Sequence, residues 1–140
     1  MLKGINPILT PDLLKILMEM GHGDELVITD GNFPAAAIAQ RLVRLDGLNV
    51  PEVLDAILEV MPLDQYVEKQ VALMEVVPGD DFVPVIWDTY KEIIAKHEPD
   101  AQIENIERFA YYERAKKAYA VVYTSEMSKY ANVILKKGCV

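Results

Sequence analysis

The 140-residue chain is predicted to fold as one α/β domain, residues 1–140, with a mainly parallel central sheet and helices on both faces. Three observations point there. Short continuous apolar runs such as Leu26-Val27-Ile28 have the length and composition of buried strands. Stretches with helical spacing of apolar residues lie between such runs, and this alternation favours a sheet covered on both sides. No repeat, low-complexity tract or linker breaks the chain, whose length is enough to bury a core without disulfides or metal.

Each element has a local reason. Thr10-Pro11-Asp12 offers an N-cap hydroxyl and a proline in the first turn, and Leu13, Leu14, Leu17 and Met20 follow at helical spacing until Gly21. Leu26 to Ile28 is read as a strand ended by Asp30-Gly31. A short Ala-rich helix follows Pro34, and Arg41 to Leu45 is a second strand. Pro51 opens a helix carrying Val53, Leu54, Ile57, Leu58 and Met61, with Pro62 beyond its end. Val71 to Val77 is expected to be a strand closed by Pro78-Gly79, Val85 to Lys96 a helix, and Ile103 to Phe109 a strand. Tyr112 to Ala118 completes the helices, and Tyr119 to Thr124 and Asn132 to Leu135 are the last two strands.

Charge and cysteine content exclude some function classes. Fourteen basic against twenty-two acidic side chains give a net charge of −8, which repels nucleic acid and anionic membrane surfaces. The single cysteine, Cys139, cannot form an internal disulfide, which suits a reducing compartment. Gly4 and Pro7 interrupt the start of the chain too early for a signal-peptide core, and no apolar run approaches membrane-spanning length. A soluble cytoplasmic protein is expected. There is no metal-ligand spacing, no glycine-rich phosphate loop after a strand and no Gly-x-Ser-x-Gly elbow, so no metal or cofactor is implied.

The stretch Met20-Gly21-His22-Gly23-Asp24 places a histidine between two glycines after a helix. Such a turn presents the imidazole without crowding, and an unperturbed imidazole titrates at about 6.5, so it can both give and take a proton near neutrality. The plain alternative is a helix C-cap turn that happens to hold a histidine. In α/β sheets, ligands sit beyond the carboxyl ends of strands. Asp30 and the Arg108-Phe109 segment are expected there, converging with His22 on one crevice. Tyr111 and Tyr112 follow Arg108-Phe109 directly, and a third phenol, Tyr130, lies just ahead of Asn132. Carboxylate, guanidinium, amide and phenol groups each hold hydroxyls in fixed orientations, which suits a polyhydroxylated ligand. Each also has a duller role: Asp30 and Asp64 as turn residues, Arg108 as a surface ion-pair partner, the tyrosines as half-buried packing.

The runs Glu19-Met20-Gly21-His22-Gly23-Asp24-Glu25, Asn32-Phe33-Pro34, Arg44-Leu45-Asp46-Gly47-Leu48 and Pro62-Leu63-Asp64-Gln65-Tyr66-Val67-Glu68 resemble the L-fucose mutarotase and D-ribose pyranase family. Ile106-Glu107-Arg108-Phe109-Ala110-Tyr111-Tyr112-Glu113-Arg114-Ala115, Tyr130-Ala131-Asn132 and Leu135-Lys136-Lys137-Gly138 extend the likeness to the end of the chain, on the fucose branch.

The resemblance implies a cofactor-independent isomerase that interconverts the anomers of a free reducing sugar by general acid-base ring opening and closure. By similarity, His22 is the principal proton donor and acceptor and Tyr112 its partner, while Asp30, Asp64, Arg108, Tyr130 and Asn132 bind the sugar. It also implies a homo-oligomer with sites shared between subunits, a decameric ring in bacterial members. Two departures bear on substrate preference: Ala131 stands where the family commonly has glycine, and Asn32 replaces a histidine common in bacterial relatives. The other readings are a ribose pyranase and a sugar-binding accessory protein without turnover.

Overall fold

A computed structural model describes residues 1–140. Eleven elements follow one another: α1 (Pro11–Glu19), β1 (Glu25–Thr29), α2 (Ala35–Ile38), β2 (Leu42–Leu45), α3 (Val50–Leu58), β3 (Val71–Met74), α4 (Ile86–His97), β4 (Ile103–Ile106), α5 (Arg108–Lys117), β5 (Ala120–Thr124) and β6 (Val133–Lys136). The strands make one six-stranded sheet in the order β2-β5-β1-β6-β3-β4. Pairings β1 with β5, β2 with β5 and β3 with β4 are parallel. β6 runs antiparallel to both of its neighbours, β1 and β3.

Period-two alternation divides the core between the two faces of this sheet. Leu26, Ile28, Val71, Leu73, Val122, Val133 and Leu135 face α1, α3 and α4 in a cluster of 26 buried residues. Val27, Ala72, Met74, Val121 and Ile134 face α2 and α5 in a cluster of 10. This is why the central strands are apolar on both sides, and it confirms helices on each face of a mainly parallel sheet.

Some boundaries differ from the sequence expectation, and α3 ends at Leu58, short of Met61. The strand expected to run to Phe109 ends at Ile106, and Arg108 and Phe109 instead open α5. The cause is Glu107, whose carboxylate accepts from the N–H groups of Phe109 at 2.9 Å and Ala110 at 3.0 Å and so starts the helix at Arg108 rather than at Tyr112. β3 stops at Met74 rather than Val77 because its neighbour β4 ends at Ile106, leaving only the Glu75 N–H to reach the Ile106 carbonyl.

Candidate functional site

The structure separates the predicted site residues into two groups at opposite ends of β1. His22 precedes the strand and Asp30 follows it, so the single crevice expected to contain both does not exist within one chain. Five residues at about 3.3 Å each put the two groups about 16 Å apart.

The first group is built on the end of β6. Gly23, at φ 86°, turns the chain out of α1 toward β1, and its N–H donates to the Lys137 carbonyl at 2.9 Å. The Asp64 N–H donates to the Lys136 carbonyl at 3.0 Å, and the Gly138 N–H to the Pro62 carbonyl at 2.9 Å. Lys137 extends its ammonium to carbonyls at the C-terminal end of α1 and its cap, Leu17 at 2.7 Å and Met20 at 2.6 Å. Residues 136–138 thus pin the His22 turn and the Asp64 loop to a common backbone. The consequence is a hydrogen bond of 2.9 Å between His22 Nε2 and Asp64 Oδ1. Asp64 is buried, while the His22 side chain is 46% exposed and free to meet a ligand. Tyr66 lies beside the imidazole, with ring centroids 5.5 Å apart.

Burial on its own raises the Asp64 carboxyl, but the Tyr66 N–H and the His22 ring outweigh it and hold the group below the usual carboxylate range. An ionised carboxylate has no proton to give. The shared hydrogen is therefore on Nε2, which in the neutral form of the ring puts the lone pair on Nδ1.

The second group lines a crevice of about 260 Å³ beyond the carboxyl ends of β1 and β3: Asp30, Asn32, Phe33, Met74, Val77, Asp80, Arg108, Tyr112, Lys129, Tyr130 and Asn132. Here β6 begins, because it runs against β1, and Asn132 just ahead of it accepts from the Asp30 N–H at 2.8 Å. Asp30 Oδ1 in turn accepts from the N–H groups of Asn32 at 3.0 Å and Phe33 at 2.9 Å. Burial raises the Asp30 carboxyl above its ordinary value despite these bonds, with Glu126 adding repulsion. A carboxylate so poorly solvated is a strong acceptor for a ligand hydroxyl.

Tyr112 stacks on Phe33 at 5.4 Å and 27°. Arg108, in the first turn of α5, lies with its guanidinium 4.6 Å from the Phe109 ring centroid. Tyr130 has a left-handed backbone at φ 56°, uncommon for a residue with a side chain. Five of the seven candidate residues thus share the crevice, and His22 and Asp64 share the other group.

Sequence reasoning did not single out Asp80, Lys129 or Phe33 as crevice residues. The only available signal for Asp80 was Pro78-Gly79-Asp80-Asp81, which reads as an ordinary turn.

The chain matches the RbsD / FucU transport protein family over residues 3–140. It belongs to that family. Among RbsD / FucU relatives, the L-fucose mutarotase of Actinobacillus pleuropneumoniae serotype 5b is 50% identical over 139 residues, covering 99% of this chain and 96% of that one. The fucose mutarotase of Streptococcus pneumoniae, solved in complex with L-fucose, is 54% identical with a TM-score of 0.94 over 99% of both chains. FucU from Bifidobacterium longum is 53% identical with a TM-score of 0.96, again over 99% of both chains. The fold class expected from the sequence is therefore that of solved RbsD / FucU members.

Proposed function

We propose that this protein is an L-fucose mutarotase, interconverting the α and β anomers of the free sugar without a cofactor. The observation that carries the reading is the paired geometry just described: an exposed imidazole with a fixed tautomer, and a crevice of hydroxyl-binding groups, in a chain about half identical to proteins named fucose mutarotases. A ribose pyranase and a turnover-free sugar binder have less support, since the relatives at this identity carry the fucose name.

In the proposed reaction, sugar sits in the crevice against Asp30, Arg108, Tyr130 and Asn132. His22 Nδ1 takes the proton from the anomeric hydroxyl while the Tyr112 phenol gives one to the ring oxygen. The C1–O5 bond breaks and the C1 carbonyl forms. Rotation about C1–C2 exposes the other face, and the two groups reverse roles as the ring closes. Asp64 binds the imidazolium formed in the first step and holds the ring in place.

His22 cannot reach the Tyr112 of its own chain across the length of β1, so the reading places the His22 turn of one copy over the crevice of another. A homo-oligomer follows, and head-to-tail contacts whose rotation closes would make a ring, in line with the decamer expected from the resemblance. A cytoplasmic location fits the single exposed cysteine at the chain end. Saturation-transfer NMR on L-fucose tests the reading: the protein accelerates exchange between anomeric protons. Faster exchange only among ribose ring forms, or binding with exchange at the uncatalysed rate, overturns it.

A further inference from the structure

Tyr130 reaches the crevice with its hydroxyl already engaged. Its O–H donates to Asp80 Oδ2 at 2.6 Å, and its own hydroxyl oxygen accepts from the Val77 N–H at 3.3 Å. The other Asp80 oxygen accepts from the Phe82 N–H at 3.0 Å, so the carboxylate is tied to its own loop. On the main chain, Trp87 Nε1 of α4 donates to the Tyr130 carbonyl at 2.7 Å. The Phe82 ring lies 5.9 Å from the Tyr130 ring at 31°. A tyrosine at φ 56° is held there only if its surroundings over-determine it. Here the phenol is fastened at one end and the carbonyl at the other.

A hydroxyl has one proton. The phenol that gives it to a carboxylate at 2.6 Å has none left for a sugar. We propose that Asp80 is a positioning residue for the crevice: it holds the Tyr130 phenol, so that Tyr130 meets the sugar with its ring face and main chain rather than by O–H donation. Fixing the Tyr130 turn also fixes Asn132 two residues on, and through the bond from the Asp30 N–H to Asn132 it sets the spacing of the two hydroxyl-binding groups. The inference rests on the sugar-binding reading of this crevice.

The experiment measures KM and kcat for L-fucose anomer exchange, with sugar affinity followed independently by fluorescence of Trp87, the only tryptophan. Wild-type protein that neither binds nor exchanges fucose overturns the functional reading itself. With an active wild type, Asp80→Ala and Tyr130→Phe each raise KM roughly 10-fold, the loss of one charge-assisted hydrogen bond. Their kcat values change less than KM, and the double variant is no worse than either single one. Asp80→Asn, which keeps an acceptor for the phenol, recovers most of the loss. A KM for Asp80→Ala within about two-fold of wild type, or effects of the two single variants that multiply, contradicts the proposal.

Discussion

The Nε2 atom of His22 lies 2.9 Å from Oδ1 of Asp64, forty-two residues away, and both are held by the backbone of the last strand. This pairing sets the tautomer of the imidazole, and the proposed reaction uses Nδ1 as base. His22→Ala is therefore expected to slow fucose anomer exchange by about 10²–10⁴-fold, the usual contribution of a positioned acid-base group. Its melting temperature falls only modestly, because the buried Asp64 carboxylate keeps the Tyr66 N–H and loses one hydrogen bond, about 1–3 kcal/mol. Saturation-transfer NMR and a thermal melt check both halves; near-full activity removes the histidine from the mechanism.

Asp64→Asn keeps the shape of the loop but loses the charge. The folded carboxyl lies below its ordinary value, so its contribution is present above the unfolded value of about 3.9 and is lost as pH falls through the folded one. Acid unfolding of wild type should carry this component at the low-pH end and Asp64→Asn should lack it. Equal acid profiles would show that the carboxylate is not held by the His22 turn and the Tyr66 N–H.

Asp30 has the opposite sign. Burial raises its folded carboxyl, so the native state binds more protons than the unfolded chain, and wild-type stability rises as pH falls from neutrality toward the carboxylate range. Asp30→Asn retains an oxygen for the Asn32 and Phe33 N–H groups and removes the buried charge. It is expected to melt higher than wild type at neutral pH while losing roughly 10–100-fold in kcat/KM. A lower melting temperature together with unchanged activity would show the charge to be structural.

Gly138 is required by contact rather than by φ. A Cβ there would run into the Leu63 carbonyl oxygen and stand 2.8 Å from the Asp64 Cα. Gly138→Ala should cost about 1–3 kcal/mol by forcing the 62–64 loop away. It should also reduce exchange, because that loop carries Asp64. Loss of stability with full activity would show that the strain relaxes away from the His22–Asp64 pair.

Most of the fold was legible because Pro, Gly and apolar runs act locally. Thr10-Pro11 starts α1, Pro51 lies in the first turn of α3, and Leu26-Val27-Ile28 is apolar because both faces of β1 are covered. The direction of β6 was not legible, since nothing in Val133 to Lys136 distinguishes an antiparallel central strand from a parallel one. That direction decides the site: it puts Asn132 at the crevice and Lys136 to Gly138 beneath His22. Arg108 does line the crevice with Asp30, although from a helix rather than a strand end, whereas proximity in sequence misled for His22, which lies only eight residues from Asp30 but at the other end of β1.

The most direct test combines two defective subunits. His22→Ala lacks the base and Tyr112→Phe lacks its partner, and each alone should be nearly inactive. Co-expressed in equal amounts, the two should recover up to about a quarter of wild-type exchange, because one in four random contacts joins an intact His22 turn to an intact crevice. No recovery in mixed assemblies, or full exchange by a wild-type monomer, would contradict a site completed by a second copy.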